Sequence, residues 1–139
     1  MNNPVKNFRL KFESLKKTLP KDVSLLALKH FDLNFMKQGF DGDKWGPVKR
    51  WETGKGVDKT RAILSGRTKL LAKSNYVKKA SWDKIIIANS AKSKNGYNYG
   101  LAHNNGTNKI PQRKFLGNSQ VLNKKIVNFV GIQLNKVFK

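Results

Sequence analysis

Apolar residues in the first part of the chain recur at helical spacing. Val5, Phe8, Phe12, Leu15 and Leu19 alternate steps of three and four, which predicts a helix over 5–17 that extends towards Leu19. Thr18-Leu19-Pro20 then reads as a break, with Thr18 as an N-cap and Pro20 in the first turn of a second helix. This second helix runs to about Gln38. Its inner stripe is Val23, Leu26, Ala27, Phe31 and Phe35, with His30 beside it. Leu28, Leu33 and Met36 widen the stripe, which predicts burial on more than one side, and Gly39 stands where a C-terminal cap belongs.

The period is lost over 40–60. Asp41-Gly42-Asp43, Trp45-Gly46-Pro47 and Thr53-Gly54-Lys55-Gly56 predict irregular chain, anchored by Trp45, Val48 and Trp51. Short helical turns are expected over Thr60–Leu64, ending at Ser65-Gly66, and over Thr68–Ala72. Asn75–Ser81 and Lys84–Asn89 are rich in β-branched and aromatic residues and flank Trp82-Asp83, which predicts a hairpin. The run Ile85-Ile86-Ile87 suits a central strand buried on both faces. Residues 90–98 read as an exposed loop, Asn104-Asn105-Gly106 as a turn, and Gly117-Asn118-Ser119 as a stretch that stops one element and caps a last helix. That helix spans about Ser119–Val137, with a stripe of Leu122, Ile126, Val130, Leu134 and Val137 and with Phe129 beside it. The sum is an α+β fold: two N-terminal helices, a small mostly antiparallel sheet with a hairpin, and a C-terminal helix, in a single domain over 1–139.

Charge changes this picture. Residues 1–60 carry 13 basic and 7 acidic side chains, whereas residues 61–139 carry 16 basic side chains and one acid, Asp83, within a net charge of +21. Self-repulsion on that scale suits a polyanionic neighbour: nucleic acid, an acidic protein surface or an anionic membrane. The plain alternative is a solvated basic surface without a dedicated partner. No cysteine is present, so disulfides and thiolate metal sites are excluded, in keeping with folding in a reducing cytoplasm. No run approaches the roughly 20 apolar residues of a membrane span, and Met1–Lys21 lacks the apolar core of a secretory leader, so a soluble protein without a membrane role is expected.

Catalytic chemistry finds little material. Acid–base work needs carboxylates or imidazoles set against one another, and the chain has 8 acids and two histidines, His30 and His103. His103-Asn104-Asn105 has only a superficial likeness to a His-Asn-His nuclease core, since the second histidine and the metal carboxylates are missing nearby. Gly54-Lys55-Gly56-Val57 lacks the spacing of a phosphate-binding loop. The expectation is a non-enzymatic protein without cofactor or metal.

Four stretches then carry a resemblance. Tyr99-Gly100-Leu101-Ala102-His103-Asn104-Asn105-Gly106 is followed by Lys109-Ile110-Pro111-Gln112-Arg113-Lys114-Phe115-Leu116-Gly117. Upstream stand Phe40-Asp41-Gly42-Asp43-Lys44-Trp45-Gly46-Pro47 and Ile63-Leu64-Ser65-Gly66-Arg67-Thr68-Lys69-Leu70. In this order they resemble the phage virion morphogenesis family, which includes tail-completion proteins of Mu-like phages. Departures from the pattern include Gly100 after Tyr99, where the family has Ala, and Lys114 before Phe115, where it has Pro. The resemblance implies a structural virion protein at the neck or tail, assembled in the host cytoplasm. It implies self-association in a ring on the virion. The expected partners are other neck and tail proteins, such as a tail terminator and head-completion or connector proteins, and genomic DNA is a further contact.

Each motif residue has a bland reading beside the functional one. Trp45 and Trp51 are either interface anchors or plugs of the 40–56 loop; Trp45 reads as a plug, Trp51 as more open. His103 is expected to fix the backbone of the loop before Gly106 by hydrogen bonding, with an inter-subunit contact as the alternative. Pro111 biases Ile110 towards extended chain, and Phe115 and Leu116 anchor the start of the last helix ahead of Gly117. Arg113 is left to reach outward to a carboxylate or phosphate, unless the segment is only a strand-to-helix junction. Lys78, Lys79, Lys84, Lys92 and Lys94 are expected to cluster on the hairpin and its following loop as polyanion contacts, with Trp82 and Tyr97 among them. This supports the alternative reading, a sequence-independent basic nucleic-acid-binding protein. At +21, isolated copies should repel one another and form a ring only on the virion.

Overall fold

A computed structural model describes residues 3–66 and 68–138. It is a mixed helix and sheet structure with two small antiparallel sheets, broadly of the α+β kind. Arg67, within one of the motif blocks, lies outside the described residues.

The expected break at Thr18-Leu19-Pro20 does not occur. One helix, α1, runs from Pro4 to Lys37, 34 residues and roughly 51 Å at 1.5 Å per residue. Asn3 caps it, its side chain accepting from the N–H groups of Val5 and Lys6 at 3.1 and 3.2 Å. Thr18, expected as an N-cap, turns its hydroxyl back to the carbonyls of Ser14 and Leu15, both at 3.4 Å. Pro20 is buried in mid-helix and cannot donate to the Lys16 carbonyl. Tertiary contact overrides this local cost. The last helix, α5 (Gln120–Phe138), runs antiparallel along α1: Ser119, just before it, meets His30, and Phe138 near its end meets Phe8 at 5.4 Å between ring centroids. The α1 stripe buried on both sides of the proline is Leu19, Val23, Ala27, Phe31 and Phe35, so a bend at Pro20 would lift one half from its partner. Of the residues expected to widen the stripe, Leu28 and Leu33 are half-buried and Met36 is exposed.

At the end of α1 it is Gln38, and not Gly39, that adopts the left-handed cap conformation, with φ 52°. The Gln38 side chain accepts from the Ile63 N–H at 2.7 Å, a role glycine cannot fill. Gly39 is needed for another reason. It opens β1 (Gly39–Phe40), which pairs with β2 (Asp43–Lys44), and a Cβ there would lie 2.5 Å from the Asp43 carbonyl oxygen. The two-residue turn Asp41-Gly42 has positive φ at both positions, the geometry that tight hairpins favour.

Between residues 45 and 75 the chain holds α2 (Arg50–Thr53), a 3-10 turn at Gly56–Lys59 and α3 (Leu70–Lys73). The turn expected at Thr60–Leu64 is thus displaced towards the N-terminus. The expected hairpin is present as β3 (Asn75–Ala80) and β4 (Ile85–Asn89). A bulge leaves Lys78 unpaired, because Val77 faces Ile87 and Lys79 faces Ile86. Ile85–Ile87 do not form a central strand: the sheet has two strands, and every β4 residue is only half-buried. Ala91, in the loop expected to be exposed, is buried and serves as an anchor. The segment read as a turn contains a helix, α4 (Tyr99–Asn105), capped by Asn98 through the Leu101 N–H and closed at Gly106.

Two apolar clusters result. Phe35, Trp45, Ile63, Leu71, Ala91 and Phe115 form one, and Ala27, Phe31 and Leu122 form the other, with Leu116 touching both. Pro20→Ala restores a helix donor at a site where an interior proline costs about 3 kcal/mol, against a small loss of buried ring contact. This variant is expected to be more stable by about 1–2 kcal/mol, read as a higher urea midpoint; a lower midpoint would show that the proline ring is the better fit.

Candidate functional site

The motif blocks, 40 or more residues apart at their extremes, meet around the segment Arg113–Leu116. This segment belongs to no strand, yet Arg113 and Phe115 are buried. Its backbone groups therefore need partners from elsewhere. The Arg113 N–H donates to the His103 carbonyl at 2.7 Å. The Phe115 and Leu116 N–H groups both donate to the Asn104 side-chain oxygen, at 2.8 and 2.9 Å. The Lys114 carbonyl accepts from the Trp45 indole at 2.9 Å, and the Phe115 carbonyl accepts from the Asn34 amide at 2.9 Å. Phe115 fills the centre, 1% exposed, at 5.0 Å from the Phe35 ring.

Arg113 does not reach outward. It is buried, and its guanidinium donates to the carbonyls of Gly46 (3.3 Å) and Pro47 (3.0 Å). The planar fork thus holds the loop after Trp45, and burial lowers the Arg113 pKa from its ordinary value. Arg50 repeats the device one layer out, donating to the carbonyls of Arg61 and Ala62 at 2.8 and 2.6 Å. Trp51, for which the choice between interface anchor and loop plug is open in the sequence, is half-buried and donates its indole N–H to the Arg61 carbonyl at 2.9 Å.

The role expected of the His103 side chain falls to its neighbour. His103 Nδ1 is buried without a hydrogen-bond partner, while Asn104 ties down the loop before Gly106 and the segment after it. Gly106 ends α4 with φ 77°, and its own N–H donates to the Ala102 carbonyl at 2.8 Å. Ile110, half-buried, accepts from Thr107 N–H through its carbonyl at 2.8 Å, and Pro111 follows, exposed in the extended chain. Leu116 packs between the clusters, and Gly117 is the last motif residue before the α5 cap.

The five lysines do not gather at one place. Lys79 and Lys84 flank the closed end of the hairpin and Lys78 sits on its bulge, whereas Lys92 and Lys94 follow its open end, where Ser90 bonds back to Ser74. All five are exposed.

A second polar constellation escaped the pattern reading. Ser119, His30 and Asp41 come together where α1, the β1–β2 turn and the start of α5 meet. Lys125 Nζ donates to His30 Nδ1 at 3.1 Å, which leaves the proton on Nε2, facing the Ser119 hydroxyl at 3.3 Å. The hydroxyl donates to Asp41 at 2.6 Å and accepts from the Leu122 N–H at 3.0 Å. In a nucleophilic serine the ring takes the hydroxyl proton and the carboxylate orients the far ring nitrogen. Here the ring donates to the hydroxyl, the far nitrogen holds an ammonium, and Ser119 is 2% exposed. The constellation is a latch: it caps α5 and joins three elements. Only the capping role of the Gly117–Ser119 stretch was legible beforehand. Among the described residues no group of three or more His, Asp or Glu is placed to hold a metal ion, and no helix is long and apolar enough to cross a membrane.

Burial, then the Lys125 charge, lower the His30 pKa from 6.5; burial, then Arg113, lower that of His103. Both rings fold neutral, so the unfolded chain binds more protons once pH drops below the ordinary imidazole value. Stability is therefore expected to be fully present above pH 6.5 and to decline as pH falls below it towards the folded pKa values. His30→Gln should flatten that decline in a melting series; an unchanged slope would remove His30 from the account.

Asn104→Ala orphans two part-buried N–H groups, each worth about 1–3 kcal/mol, and is expected to cost about 2–4 kcal/mol in urea unfolding. His103→Ala, which removes no bond from Nδ1, should cost clearly less. The reverse order would restore His103 as the residue that fixes the loop. Comparison with family models, with curated proteins and with solved structures returned no match.

Proposed function

We propose that this chain is a structural, non-enzymatic virion protein of a tailed phage, one that completes the tail and joins it to the head as part of a ring. The observation that carries this reading is the convergence of the blocks that resemble the virion morphogenesis family. Gly46 and Pro47 accept from Arg113, Trp45 donates to Lys114, and Asn104 accepts from Phe115 and Leu116. Short words that matched by chance would have no reason to hold one another. The groups that join the blocks are spent on contacts within the chain, as befits a scaffold whose partners meet its surface. The unneutralised +21 suits acidic neighbours in a tail terminator or connector.

The second reading, a sequence-independent nucleic-acid-binding protein, is favoured by the exposed Lys78, Lys79, Lys84, Lys92 and Lys94 in a region with one acid. A neck protein beside the DNA exit channel shares that behaviour.

In a phage that encodes the chain, loss of the gene is expected to yield filled heads and finished tails that fail to join. Immuno-gold should label the head–tail joint of normal virions. Joined, infectious particles made without the protein, or a joint free of label, would overturn the reading.

A further inference from the structure

A cavity of about 500 Å³ lies outside the Arg113 clamp, lined by Lys55, Val57, Asp58, Arg61, Gly66 and Lys69. Arg61 contributes one nitrogen, Nη1, to Asp58 at 2.6 Å; its Nε is buried without a hydrogen-bond partner. Lys55 and Lys69 are exposed on the walls. Behind them, the Arg50 guanidinium holds the Arg61 carbonyl at 2.8 Å and the Trp51 indole holds it at 2.9 Å, so the backbone carrying Arg61 is locked. In the lining, Lys69 has φ 56°, a left-handed conformation that non-glycine residues adopt when a loop is over-determined.

We propose that this cavity binds the phosphodiester backbone of a nucleic acid through Lys55, Arg61 and Lys69, without reading bases. Three cations converge from separate stretches of chain on a space with one carboxylate, and that carboxylate already serves Arg61. A phosphate group offers several oxygens to donors arriving from different sides, which suits two flexible ammonium groups and one fixed guanidinium. A flat carboxylate suits a single fork better. Among the described lining residues Val57 is the one apolar side chain and none is aromatic, so there is no platform to stack a base, and contact is restricted to the backbone. The inference concerns a surface distinct from the motif clamp and stands whether or not the protein joins heads to tails. It moves the principal polyanion contact from the hairpin lysines to this cavity.

The test compares Lys55→Ala/Lys69→Ala with Lys79→Ala/Lys84→Ala, which removes the same charge from exposed hairpin positions. Anisotropy of a short labelled DNA duplex is followed over a salt series. The cavity variant is expected to bind about tenfold more weakly at roughly 0.1 M salt, and its slope of log affinity against log salt should fall by about 1.8, two phosphate contacts at about 0.9 each. The hairpin variant should retain most of both. Inorganic phosphate alone should shift the Gly56 and Gly66 amide resonances of the unaltered protein and not of the cavity variant. Equal losses in the two variants would reduce the effect to general surface charge. Poly-glutamate bound more tightly than DNA, and released by the cavity variant, would assign the cavity to an acidic protein instead. Phosphate binding without DNA binding would make it a small-anion site. Each of these outcomes overturns the proposal, and none bears on the tail-joining reading, which is decided by assembly of virions.

Discussion

An extended stretch buried without a neighbouring strand is the constraint on which this molecule depends. Arg113–Leu116 has no ladder to satisfy its N–H and C=O groups, and each one left unpaired in the interior costs about 1–3 kcal/mol. The solution is to bring side chains to the backbone. Asn104 serves two donors with one oxygen, Trp45 and Asn34 serve two carbonyls, and the His103 carbonyl serves the Arg113 N–H. Because these partners come from α1, the loop after β2 and α4, satisfying the segment brings those elements together around Phe115. The rest of the first core cluster then has its walls.

The same economy of acids shapes the electrostatics. With 8 carboxylates for 29 basic side chains, the chain holds the buried Arg113 and the half-buried Arg50 with carbonyl oxygens. Arg113 is held by Gly46 and Pro47, and Arg50 by Arg61 and Ala62. A carbonyl satisfies the hydrogen bond without cancelling the charge. The interior is therefore well ordered while the positive field persists to the surface, where it is available to a polyanionic neighbour. Asp41 is an exception that shows the alternative: its pKa is lowered through the hydrogen bond from Ser119, against the effect of burial, and it anchors the latch that starts α5.

The amphipathic stripes, the hairpin and the terminal helix were legible in the sequence because each rests on local information: a period of 3.6 for α5, β-branched and aromatic runs for β3 and β4, and a tight turn where Asp41-Gly42 stands. The motif blocks, too, could be read as words before their partners were known. The burial of Trp45 followed from an aromatic placed among turn residues with nowhere else to go.

What the sequence could not decide are the places where distant chain overrides a local preference. Pro20 has the local signature of a helix start, yet α1 continues through it with α5 packed alongside. Ile85–Ile87 have the apolar run of a central strand, but a strand is central only if a third one pairs with it, and among the described residues none does. Arg113 has the chemistry of a surface contact, but carbonyls 66 and 67 residues away turn it inward. His103 and Asn104 are adjacent, and which of them fixes the loop depends on where Phe115 and Leu116 arrive. The sequence by itself determined which segments want to be helices, strands and turns, because that information lies within a few residues. The tertiary structure alone decided which polar groups are buried and with whom, because a hydrogen bond between residues remote in sequence has no period to reveal it.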